Sequence, residues 1–220
     1  ATKTLTVTNG TFNANNFNVT FGLVLSTGAL TRAITMGTGT WTLSGTGGVW
    51  SVVASLTLNS TGSTISITDA GASSKTFAGA GKSYGNVSIT GGGAGAVNVS
   101  GSNTFNTFTI GAPKTVTFTT LTTQTFNNFV AVGSSGNVIT INSSSAGGTV
   151  VMNQVGGKIC GNWLSLKDNK PSGGAFWYAG ANSSSVSNTS GWIFANCPRG
   201  LLINRSKVKI QKSKVKLQFR

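Results

Sequence analysis

Ser83-Tyr84-Gly85-Asn86-Val87-Ser88-Ile89, Thr104-Phe105-Asn106-Thr107-Phe108-Thr109-Ile110 and Thr125-Phe126-Asn127-Asn128-Phe129-Val130-Ala131 are three versions of one phrase, repeated every 21 residues. Each has an aromatic residue in second place, an apolar residue three positions on, and another two positions after that. A second short alternating segment follows each copy: Val97-Asn98-Val99, Val116-Thr117-Phe118 and Ile139-Thr140-Ile141. Short strands with turn residues between them, renewed at a fixed period, are the mark of a solenoid in which coil stacks on coil. The fold class expected is therefore all-β, a parallel β-helix or β-solenoid with rungs of about 21 residues. Equivalent residues of successive rungs stack in such a fold. Tyr84, Phe105 and Phe126 are predicted to form one interior ladder, and Val87, Phe108 and Phe129 a second.

Outward from this centre the pattern loosens. Leu5-Thr6-Val7, Phe17-Asn18-Val19-Thr20-Phe21, Trp41-Thr42-Leu43, Leu56-Thr57-Leu58 and Ile65-Ser66-Ile67 alternate apolar with polar, as half-buried strands do. Irregular first rungs are expected where a solenoid protects its open end. About seven rungs stacked at roughly 4.8 Å give a solenoid on the order of 35 Å long. Gly91-Gly92-Gly93-Ala94-Gly95-Ala96 and Ser143-Ser144-Ser145-Ala146-Gly147-Gly148 read as turns. A phosphate-cradling loop would need a following helix and a Lys-Ser/Thr pair, and neither is present.

Composition agrees with strands and tight turns: 31 Gly, 32 Thr, 27 Ser and 21 Asn make up about half of the 220 residues. Asp69 and Asp168 are the only carboxylate side chains, and the chain has no His. Glycan hydrolysis and similar acid–base work rely on paired carboxylates, a His or a metal, so no enzyme, catalytic residue or cofactor is expected. No metal site is expected either, because His and Cys partners are missing. The net charge of +14 is unevenly placed, with +6 on the first 198 residues and +8 on the last 22. No apolar run is long enough to span a membrane. Ala1-Thr2-Lys3-Thr4 leads straight into alternation, so no signal peptide is expected there. Triplets such as Asn18-Val19-Thr20 and Asn86-Val87-Ser88 arise by chance in a chain of this composition and are not read as glycosylation sites.

The character changes after Ile159, and the expected division is a solenoid over 1–159, an aromatic-rich cap over 160–197 and a basic tail over 198–220. Cys160 and Cys197 bracket the cap, which holds three of the five Trp. They are either a disulfide, closing a loop of about 37 residues for roughly 3–4 kcal/mol, or two buried thiols in a reducing cytosol. Trp177, Tyr178 and Trp192 read as a plug over the solenoid end, with glycan contact as the alternative use of the same rings. In the tail, Ser206-Lys207-Val208-Lys209-Ile210-Gln211 recurs as Ser213-Lys214-Val215-Lys216-Leu217-Gln218. Such alternation puts lysines on one face of a strand and apolar residues on the other. It reads as a solvated end or as a docking arm that adds strands to a partner through Lys207, Lys209, Lys212, Lys214, Lys216 and Arg220. Nucleic acid is a weaker choice of partner, because Phe219 is the only stacking platform there.

Leu164-Ser165-Leu166-Lys167-Asp168-Asn169, Trp177-Tyr178-Ala179-Gly180-Ala181-Asn182-Ser183 and Gly191-Trp192-Ile193-Phe194 resemble the closing module of Gly/Thr/Asn-rich β-solenoid structural proteins of tailed bacteriophages and of bacterial surface proteins. The resemblance implies a non-enzymatic virion component, a head decoration, head fibre or tail-associated protein on the virion surface. Its implied partners are other virion proteins and further copies of itself, with a homotrimer implied by the same resemblance. The alternative is a bacterial extracellular adhesin or surface-filament subunit that binds host glycans. The Ser/Asn run over Asn182–Ser190 departs from the more acidic form of the module, which puts in doubt any ion or ligand held by acidic residues there.

Overall fold

A computed structural model describes residues 3–198, and every strand pairing within them is parallel. The described residues wind through about eight turns of roughly 22 residues, without a helix among them. Each turn passes over three faces. Face A is one sheet of nine strands, from Thr4–Thr6 through Lys75–Ala78 and Lys114–Phe118 to Ser184–Ser187. Face B starts as a sheet of Gly10–Asn13, Arg32–Thr35 and Thr57–Asn59, and face C ends as a sheet of Lys158–Cys160, Phe176–Tyr178 and Trp192–Ile193. The remaining strands of B and C form a single eight-stranded sheet. It begins on C with Val19–Phe21 and finishes on B with Asn169–Ser172.

The joining of those two faces comes from the repeated phrase itself. In Ser83–Ile89, Thr104–Ile110 and Thr123–Ala131 the chain turns the B–C corner without leaving its ladder. Phe105 and Phe108 both point inward, and the two residues between them, Asn106 and Thr107, both face out. Strict alternation would put every second residue inside, so the three-residue gap marks the bend. The expected two strands per rung are present in these coils, Val97–Ser100, Lys114–Phe118 and Ile139–Ser143 following in turn, and the first strand of each pair spans two faces.

Register carries the core from coil to coil. Tyr84, Phe105 and Phe126 pair in sequence, as do Val87, Phe108 and Phe129. The Tyr84–Phe105 and Phe105–Phe126 rings stack with centroids 5.6 and 5.8 Å apart. On face A, Val24, Trp50, Phe77, Val99 and Phe118 continue in one row. Each such side chain stabilises the fold by about 1.5–3 kcal/mol through burial, and each ring pair by a further ~0.5–1.5 kcal/mol.

Two expectations change. The first coil is an ordinary parallel coil, with Thr4–Thr6 on Leu23–Ser26, Gly10–Asn13 on Arg32–Thr35 and Val19–Phe21 on Thr40–Leu43. The division at 159/160 falls inside the strand Lys158–Cys160, and coils continue beyond it, Leu164–Lys167 pairing with Ile139–Ser143. A shift in composition there does not interrupt the architecture.

Phe105→Ala, at the middle of the ladder, is expected to cost about 3–5 kcal/mol in urea unfolding. The outward Thr107→Ala should stay within ~0.5 kcal/mol. Similar losses from both would contradict the inward ladder.

Candidate functional site

At the C-terminal end the rings face inward. Trp177 is 2% exposed and Trp192 8%, and their centroids lie 5.2 Å apart, edge to face. Trp177 packs on Phe126 and Phe129, so it extends the interior ladder. Trp192 Nε1 donates to Asn169 Oδ1 at 2.7 Å. Neither indole face is available to a sugar, which removes Trp177 and Trp192 as glycan contacts. Tyr178 is half-buried and Phe176, 62% exposed, faces out. Strand alternation, Phe176 out and Trp177 in, accounts for both placements. Cys160 and Cys197 form a disulfide with Cα atoms 5.3 Å apart, tying the last described residues to face C. Lys158 Nζ adds a bond to the Pro198 carbonyl at 2.6 Å. Lys207, Lys209, Lys212, Lys214, Lys216 and Arg220 lie outside the described residues.

The B–C corner carries an exposed amide row and a cleft. Asn106 Nδ2 donates to Asn86 Oδ1 at 2.9 Å, and Asn127 Nδ2 to Asn106 Oδ1 at 3.3 Å. Above this row the loop Asn59–Ser63 overhangs, leaving a cleft of about 460 Å³ lined by Asn59, Ser60, Thr61, Gly85, Asn106 and Asn127 among others. A side chain at Gly85 would collide with backbone, its Cβ falling 2.4 Å from the Ser63 carbonyl oxygen and 2.5 Å from that of Ser60. The cleft offers amide and hydroxyl groups but no charged side chain. Tyr84 beneath it is closed off, its hydroxyl donating to the Gly79 carbonyl at 2.8 Å and accepting from Trp50 Nε1 at 3.1 Å. Burial pushes that phenol's pKa up.

Lysine heads fill the C–A corner. Lys75 and Lys114 sit at inward positions of face A, and their ammonium groups end among turn carbonyls. Lys114 Nζ bonds the Gly93 and Gly95 carbonyls at 2.8 and 3.1 Å. Lys75 Nζ bonds the Gly71 carbonyl at 2.7 Å and pairs with Asp69 at 2.5 Å. The Gly-rich turns are thus held by cations from neighbouring strands. The Lys75 hydrogen bond holds the Asp69 carboxyl below its usual value. Burial lowers the Lys114 pKa, and the charge of Lys75 adds to the effect. Arg32 is similarly enclosed, donating to Ser26 Oγ at 2.9 Å and the Leu30 carbonyl at 2.5 Å.

The two carboxylates therefore have separate surroundings. Asp69 is engaged at the C–A corner, and Asp168 is fully buried at the A–B corner. Sequence reasoning passed over the enclosed cations, although Lys75-Thr76-Phe77-Ala78 carries the signal: with Phe77 inward, period two places Lys75 inward as well. The amide row was equally visible in the recurring Thr-Phe-Asn.

No protein-family model matches the chain, and neither does any curated protein or solved structure.

A carboxyl whose folded pKa is lowered stabilises the fold above the ordinary carboxylate range. That contribution disappears as pH falls through the lowered value. Asp69→Asn should therefore lower the melting temperature at neutral pH, and its difference from wild type should vanish toward strong acid. Thermal melts across acidic pH check this, and a pH-independent difference would contradict the Asp69–Lys75 link.

Proposed function

We propose that this chain is a non-enzymatic structural protein of a bacteriophage virion, a head decoration, fibre or tail-associated component that self-assembles and docks through its basic C-terminal tail. The observation that carries the reading is a stack of parallel coils whose two carboxylates lie at separate corners, away from any shared cleft. Asp69 holds Lys75, and Asp168 has no solvent exposure. Hydrolysis by paired carboxylates needs two such groups flanking a bound substrate. What the chain offers instead is surface: rows of Thr, Ser and Asn on a continuous stack of coils, and 22 final residues that carry +8.

A capsid or tail presents the same acidic site many times, so a modest affinity for each arm is multiplied when the solenoids themselves associate. A trimer is the assembly that the resemblance to viral fibres suggests. The disulfide favours one second reading, an adhesin or filament subunit outside a bacterial cell, since such bonds persist in oxidising surroundings. In that reading the glycan surface is the B–C cleft or Tyr178 rather than the buried indoles.

The test compares the full chain with one ending at Pro198, each produced together with the other particle proteins. Co-sedimentation of the full chain with particles and loss of the truncated one is the expected result. Equal incorporation of both would overturn docking through the tail, and glycan binding by free, unincorporated protein would shift the weight to the surface reading.

A further inference from the structure

The A–B corner near the C-terminal end holds a buried carboxyl group with an unpartnered oxygen. Asp168 is the single residue between the strands Leu164–Lys167 and Asn169–Ser172, where it takes a φ of 54° and has no solvent exposure. Its Oδ1 accepts from Asn188 Nδ2 of the following coil at 2.7 Å. Its Oδ2 is buried and has no hydrogen-bond partner among the described residues. The one ion pair among those residues is Lys75–Asp69, at a different corner. A desolvated carboxylate with a free oxygen is a costly arrangement unless a cation or donor reaches it.

On the two preceding coils, two more oxygens near this corner share its condition. On the preceding coil Asn142 pairs with Lys167, so Ser143 and Asp168 are the next residues of the two adjoining strands. Ser143 is 8% exposed and inward, and its Oγ also lacks a partner among the described residues. One coil earlier Phe118 pairs with Ser143, and two residues beyond it Thr120 Oγ1 is buried and unpartnered as well. Three buried oxygens without partners therefore follow one another on consecutive coils of a single corner. Isolated orphans of this kind are uncommon in folded proteins.

Stacked coils lie about 4.8 Å apart, and an ion bridging two of them is better served by the ~2.3–2.6 Å bonds and adaptable shell of calcium than by the ~2.1 Å octahedron that magnesium demands. All the available groups are oxygen donors, which selects a hard cation. We propose that Asp168 Oδ2 and Ser143 Oγ hold a calcium ion between the last coils, with carbonyl groups of the loop 144–149 and water completing its shell. The absence of His and further Cys, which argues against zinc, has no bearing on such a site. The bound ion cross-links two coils at the end where the stack has fewest neighbours.

Asn169, beside Asp168, accepts from the Trp192 indole. An ion at this corner therefore lies close to a tryptophan, and terbium replacing calcium would be excited through it. The experiment uses the full chain at fixed ionic strength, with thermal melts in calcium and in chelator and a terbium titration read by tryptophan-sensitised emission. Calcium should raise the melting temperature by several degrees and displace terbium, with a stoichiometry of a single ion. Asp168→Asn should abolish both responses, Ser143→Ala should weaken terbium binding several-fold, and Asp69→Asn should leave it unchanged. Melts that coincide in calcium and chelator, together with emission no different from free terbium, would overturn the proposal. So would binding unaltered in Ser143→Ala, a variant that keeps the carboxylate should Asp168→Asn fail to fold.

Discussion

Parallel pairing between coils, in a register that slips only at Lys75/Phe77 and Leu166/Lys167 among the described strands, is the constraint on which everything else in this protein depends. Because residue sits on equivalent residue, a choice made once is repeated along the axis, and a row is either apolar or polar for several coils together. Thus Trp41, Ile65, Val87, Phe108 and Phe129 succeed one another inside face C. Asn106 and Asn127 succeed one another outside it. Each coil touches only its neighbours, so stability accumulates from coil to coil. A fault in one row weakens two interfaces.

The corners solve the problem that the faces leave. Carbonyls in the turns cannot all join ladders, and a buried one without a donor is destabilising. At the C–A corner Lys75 supplies a donor from the strand that follows its turn, and Lys114 one from the strand of the next coil. At the A–B corner Asn103 and Gln124 do so, Gln124 Nε2 reaching the Gly101 carbonyl at 2.7 Å and Asn103 Nδ2 that of Ser100 at 3.0 Å. Most of the few charges in the first 198 residues that are enclosed have thus been drawn into structure. The tail, by contrast, carries eight cations and no carboxylate.

Much of this was legible in the residues, and what was missed has physical causes. The central ladder could be read because three aromatic residues recur at one interval and a solenoid must align them. The third face was hidden because the strands from Ser83, Thr104 and Thr123 run through a corner, and a bend leaves only a one-residue slip in alternation. The Trp-rich end suggested a separate cap because large residues changed the composition. In the fold Trp177 and Trp192 are more of the same core, Trp177 packing on Phe129, whereas Phe176 faces out and Trp163 is half-buried. Their orientation was available from alternation with Phe176 and Tyr178, whereas the cleft beside Gly85 was not, since it depends on how the loop from Asn59 to Ser63 arches over the next coil.

Residue-resolved hydrogen exchange on the intact chain tests the central claim, one continuous stack, most directly. The account predicts a single zone of strong amide protection that runs along faces A and C through Ile141, Ile159 and Leu166, fading only toward the first and last coils. Rapid exchange throughout 158–187 beside a protected remainder would mean that the aromatic end is a separate unit, and would contradict the continuous prism.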